Sequence, residues 1–132
     1  MLVAFPIGLL ALTPLWDGLA WAGVMTEARV LAHHGELAGL IGAGVAAIAG
    51  FADLMKIPQS EAATARGALI HAGLALTMVS LFGVAFALRG PAAAAPGVVV
   101  LGLEVAGALC LGATGWFGGD LVFRRGVGVK EK

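Results

Sequence analysis

GWFGGDLVFRRGVGV, residues Gly115 to Val129, decides how this chain folds. A long apolar run ends there in paired glycines, a carboxylate and two arginines, as a membrane-spanning helix does on reaching a basic aqueous face. Followed backward, the run reaches Gly97, so a span over about 97–123 is expected, long enough to tilt or to emerge by a turn or two. The whole chain has the same character. Of its 132 residues 60% are apolar and only 12% charged, with a mean hydropathy of +0.98, more apolar surface than a soluble domain of this length could hide.

Three further apolar runs precede it. Leu2 to Val24 is nearly continuous and exceeds the roughly 20 residues a bilayer-spanning helix needs. Ala20-Trp21-Ala22 has the form of a signal-peptide cleavage site, but a basic leader is lacking and Asp17 interrupts the run, so a retained span is expected. Pro6 fits a first turn, whereas Pro14 is expected to kink the helix or to free a carbonyl for a neighbour. Met25 to Glu36 reads as a polar connection with room for a short interfacial helix; His33 and His34 point about 100° apart on a helix and make a poor metal pair, so they read as solvated loop residues. The second span is expected over about 37–56, closed by Lys56 and Pro58, and the third over about 66–88, closed by Arg89-Gly90-Pro91.

Four spans with short connections make an all-α, antiparallel up-and-down four-helix bundle, a single integral membrane domain covering residues 1–132. Gly42, Ala46 and Gly50 on the second span, and Gly115 and Gly119 on the fourth, are spaced for close helix packing. Lysine and arginine are unequally divided between the two ends. Lys56, Arg66, Arg124, Arg125, Lys130 and Lys132 fall at the end that carries the termini, against Arg29 and Arg89 at the other, so both termini are expected in the cytoplasm. Trp16 and Trp21 near one edge and Trp116 near the other fit interfacial anchoring. The formal charge is zero and basic residues form no long run, which excludes a nucleic-acid interface; the lone Cys110 excludes an intrachain disulfide.

Taken together, Phe5-Pro6-Ile7-Gly8-Leu9, Asp17, Asp53, His71 and the Gly115–Val129 motif resemble an uncharacterised bacterial membrane family, domain of unknown function 2231. The resemblance covers essentially the whole chain and implies a four-helical fold. Relatives joined to Rieske-type or c-type cytochrome domains imply a redox neighbourhood. Members tend to carry a histidine where this chain has Ala4, and often one where it has Arg125. If the family holds haem b through histidines of the first and third helices, His71 alone is left here, and a bis-histidine site is weakened.

Ionisable groups inside a span cost roughly 2.5–3.5 kcal/mol at its centre and require a partner or a function. Counted at 1.5 Å per residue from each span's midpoint, Asp17 and Glu104 share a layer about 6–7 Å toward the outer face. His71 and Asp53 share a second layer about 9–10 Å toward the cytoplasm, with Arg66 and Asp120 beyond it. The inner layer is expected to neutralise itself, with Asp53 or Asp120 accepting from His71 and from Arg66 or Arg124. The outer layer shows no obvious cation, so Asp17 and Glu104 are expected to be protonated or to share a proton.

A nucleophile with a base in reach, an open metal site and a soluble lobe are all lacking, so an enzyme is not expected. Three functions fit these residues. The first is a non-enzymatic accessory or scaffold subunit associated with a membrane redox system, packing with itself or with a larger complex. The second is a b-type haem or electron-transfer protein using His71, and the third is passage of protons or a small solute through the buried carboxylates.

Overall fold

The computed structural model describes residues 3–58, 60–92 and 94–129. Leu2, at the expected start of the first span, and Lys130 and Lys132, counted in the charge asymmetry, lie outside the described residues. Four helices follow one another: α1 (Ala4–Trp21), α2 (Ala28–Leu54), α3 (Ala62–Leu88) and α4 (Val98–Phe123). All four are long and apolar enough to cross a membrane, and the chain is a multi-pass membrane bundle. The most extensive contacts are α1 with α2 and α3 with α4, two antiparallel hairpins that meet along the α1–α4 and α2–α3 seams.

The helices extend beyond the expected spans at two places. The polar connection over Met25–Glu36 is largely helix, because α2 begins at Ala28, and His33, His34 and Glu36 therefore ride on its first turns. Similarly α3 begins at Ala62, four residues before Arg66. The turn into α2 is compact because α1 ends in a Schellman motif. Gly23 takes φ +71, its N–H donates to the Ala20 carbonyl, and the Val24 N–H donates to the Leu19 carbonyl, satisfying carbonyls that the helix end would leave open. Helix α1 continues through Pro14, and the Thr13 hydroxyl one residue earlier donates to the Leu9 carbonyl at 3.0 Å.

Glycines set the approach of the hairpins, though not all the expected ones. On α2 the close contacts fall at Gly35 against Trp16, Gly39 against Leu10 and Gly42 against Pro6. Ala46 lies further along, half-buried, and Gly50 faces open space. The reason is length: α1 has 18 residues against 27 in α2, and with Pro6 already level with Gly42 it cannot cover the last turns of its partner. On α4 the packing glycines are Gly107, facing the Phe82 ring, and Gly118, facing the His71 ring. Gly115 faces open space and Gly119 meets only Phe123 of its own helix, so neither carries an interhelical contact among the described residues. Between these levels Leu10, Met78, Phe82 and Leu111 form the buried apolar core, with Leu40, Ala43, Val79, Ala108 and Cys110 packed on it.

The outward faces are apolar almost throughout. Ile48, Phe51, Leu76, Leu109, Trp116 and Phe123 are exposed, which in water would be untenable and in a bilayer is the expected lipid contact. Trp21 and Trp116 are exposed near opposite ends, while Trp16 packs inward on Gly35.

Candidate functional site

Antiparallel order brings the C-terminal ends of α1 and α3 beside the N-terminal ends of α2 and α4. At this end Asp17 sits one turn before the end of α1, Glu36 two turns into α2 and Glu104 nearly two turns into α4. All three are fully buried. Arg89 stands just past α3, and its long side chain folds back into the bundle until it is only 3% exposed.

The guanidinium donates four hydrogen bonds. Nε donates to Glu36 Oε2 at 2.9 Å and Nη1 to Asp17 Oδ1 at 3.1 Å, while Nη2 donates to both Asp17 Oδ2 and Glu104 Oε1. The Asp17 contact is bidentate, the geometry for which arginine's planar fork is suited. One side chain beyond the end of α3 therefore ties α1, α2 and α4 together. Burial works against the charge of Arg89, but its bonds to Asp17 and the attraction of Glu36, Asp17 and Glu104 outweigh this and hold the guanidinium above its ordinary pKa.

This overturns the expectation that the outer layer lacks a cation. Asp17 and Glu104 do share a layer, but Arg89 occupies it with them, and Glu36 completes it. By sequence position both added residues belong to connections. Arg89 follows Leu88 and precedes Gly90-Pro91, which reads as a helix stop, and a stop gives no sign that the side chain turns back over its own helix end. Glu36 was hidden by His33 and His34, which break the apolar run three residues earlier. Three polar atoms near this end are buried without a hydrogen-bond partner among the described residues: Glu36 Oε1, Glu104 Oε2 and His33 Nδ1. His33 is half-buried, its ring 5.1 Å from that of Phe86 on α3, within electrostatic reach of Arg89 and Asp17. His34 is exposed and bonds the Val30 carbonyl at 2.9 Å.

The inner layer is built differently from the expected network. His71 Nδ1 is 3.0 Å from the Thr114 carbonyl oxygen, and its ring lies against Gly118. A carboxylate is not its partner. Asp53 pairs with Lys56 at 2.9 Å, both substantially exposed, and Asp120 pairs with Arg125 at 3.0 Å and Arg124 at 3.5 Å. Arg66 is exposed, beside Arg125 in a shallow surface groove with Ala62 and Ala63. Helix ends that extend past the apolar core leave Asp53, Arg66 and Asp120 near water, where Asp53 and Asp120 find partners on their own helix ends, and His71 bonds across to α4 instead.

The residues present do not fit a haem held by two histidines within the spans. His33 and His34 belong to the opposite end, and Phe86, which His33 touches, is 15 residues or about 22 Å along α3 from His71. Ala4 and Arg125 supply no further histidine ligand. Among the described residues no group of three or more His, Cys, Asp or Glu side chains is placed to hold a metal ion.

No curated protein and no solved structure matches the chain. One family does, described as predicted membrane protein (DUF2231), over residues 1–131. With the match spanning the whole four-helix bundle, the chain belongs to the DUF2231 family of membrane proteins.

Proposed function

We propose that the chain is a non-enzymatic membrane subunit, a four-span scaffold that presents fixed apolar faces to lipid and to other membrane proteins. The observation that carries this is how the polar groups of the bundle are spent. Arg89 ties three helices at one end, while His71 and the Cys110 thiol, which donates to the Leu74 carbonyl at 3.3 Å, join α3 to α4. Between the two polar layers Leu10, Met78, Phe82 and Leu111 pack without a polar break. Passage of protons or solute would need a chain of polar groups or water through that level, and burying such groups in apolar surroundings is costly. The scaffold therefore fits better than a conduit.

The partner proposed is a membrane redox complex, on the strength of the family's domain company alone. The orientation proposed keeps both termini in the cytoplasm of a bacterial inner membrane. With Arg89 neutralised inside the bundle, Arg29 is the one basic residue left to face water at the opposite end among the described residues, which strengthens the charge asymmetry. Native electrophoresis of mildly solubilised membranes tests the function. The chain is expected in an assembly larger than itself that carries haem or iron–sulfur absorbance, and Arg89→Leu, which unties the bundle, is expected to release it. Migration as a lone chain, or a haem band belonging to the purified chain itself, would overturn the scaffold.

A further inference from the structure

The Arg89 cluster has more acid than base. Three carboxyl groups, Asp17 from α1, Glu36 from α2 and Glu104 from α4, face one guanidinium, and each acid is fully buried. Full ionisation would leave two uncompensated negative charges in a low-dielectric interior, a far larger cost than any single bond there returns. Geometry shows where compensation is needed: Glu36 Oε1 and Glu104 Oε2 are both buried and unbonded, while the other oxygen of each carboxyl is taken by Arg89. A metal ion is a poor answer beside a guanidinium, whose charge repels it. A proton is a good one, because a protonated carboxyl turns an orphaned acceptor into a donor without adding net positive charge beyond neutrality.

His33 is placed to deliver it. It lies three residues before Glu36 on α2, hence on the same face. Its ring is half-buried, and its buried Nδ1, like Glu36 Oε1 on the next turn of the helix, has no hydrogen-bond partner among the described residues. The other titratable neighbour on that turn, His34, points out to solvent and is engaged with the Val30 carbonyl. On the side away from His33 the cluster meets the apolar core of Leu10, Met78, Phe82 and Leu111.

We propose that Asp17, Glu36, Glu104 and Arg89 form a proton-binding site open only to the aqueous face that carries the α1–α2 and α3–α4 connections, with His33 carrying protons between water and Glu36. In the uptake step the neutral His33 ring, protonated at Nδ1, gives that proton to a Glu36 carboxylate oxygen as Nε2 takes one from water, and rotation of the resulting Nε2–H ring returns it to its starting state. The scaffold thereby gains a lock whose charge follows the pH of one compartment.

Infrared difference spectra of the protein in zwitterionic nanodiscs, recorded after a pH jump, test this. A carboxylic-acid carbonyl band is expected to change with pH and to shift on ¹³C-glutamate labelling, a measurement that needs no variant. In His33→Gln the band is expected at full amplitude but to form about 100-fold more slowly, the low end of what a positioned proton-transfer group supplies, with added imidazole restoring the rate. Absence of any pH-dependent carboxyl band in the wild type overturns the site, and a wild-type rate in His33→Gln overturns the role of His33. Proton leak through protein-bearing vesicles above that of bare lipid would overturn one-sided access. None of these results bears on assembly size, so the scaffold stands or falls separately.

Discussion

Removing the Arg89 guanidinium is the most telling perturbation of this bundle. Arg89→Leu keeps only a short apolar stem and deletes four donated bonds and the one positive charge facing three buried acids. Breaking a buried ion pair from one side costs about 3–5 kcal/mol, most of it the penalty of leaving the partner charge unpaired. Here three partners are orphaned at once, so the upper part of that range is expected at neutral pH. The penalty is expected to shrink as pH falls, because protonated carboxyls no longer carry the charge that the leucine leaves uncompensated. Arg89→Lys retains the charge but not the fork and cannot serve three acids from one point, so a loss of roughly 2 kcal/mol is expected. Reversible unfolding in mixed detergent micelles, followed by helical circular dichroism at several pH values, measures both variants. A cost below about 1 kcal/mol for Arg89→Leu at neutral pH, or one that grows on acidification, would refute the claim that this side chain ties the bundle.

Other consequences can be checked with the same unfolding assay. Gly107→Ala places a methyl group 2.8 Å from the fully buried Phe82 ring and is expected to cost about 1–3 kcal/mol, whereas Gly115→Ala, which faces open space, is expected within about 0.5 kcal/mol of wild type. Gly118→Ala meets the His71 ring at 2.9 Å and is expected to displace it from the Thr114 carbonyl, costing about 1 kcal/mol and moving the His71 ring resonances in nuclear magnetic resonance spectra. Asp53→Asn removes only an exposed pair with Lys56 and is expected to change stability by less than about 1 kcal/mol. Reporter fusions at the two termini are expected to score on the same side of the membrane, as four spans require.

The helical bundle was legible in the letters because lipid demands a signal too strong to hide: four apolar runs of spanning length separated by Pro, Gly and charge. Asp17 and Glu104 were legible as one layer for the same reason, since an acid within a span stands out and the rise of a helix fixes its depth. What escaped was the answer to their charge. Arg89 looks like a loop residue by position and acts as an interior one by reach, and sequence position locates a Cα, while a guanidinium can act several ångströms from it. The inner layer failed for the converse reason. Asp53, Arg66 and Asp120 were placed by depth alone, yet helix ends that extend past the core put them near water, where partners one or two turns away suffice for Asp53 and Asp120. Gly42 was placed correctly, but Gly50, Gly115 and Gly119 were not, because spacing does not say which face meets a neighbour: Gly118 and Gly119 are adjacent, and only Gly118 faces α3.

The reach of Arg89 also bears on how such a chain is made. Two of its acids, Asp17 and Glu36, are synthesised before it and the third, Glu104, after it. As translation proceeds, a half-built protein holding α1 to α3 can already draw the guanidinium inward, but it lacks the carboxylate of α4 that completes its coordination. The arrival of the last helix is therefore registered chemically, inside the bundle, by a residue that lies outside every span.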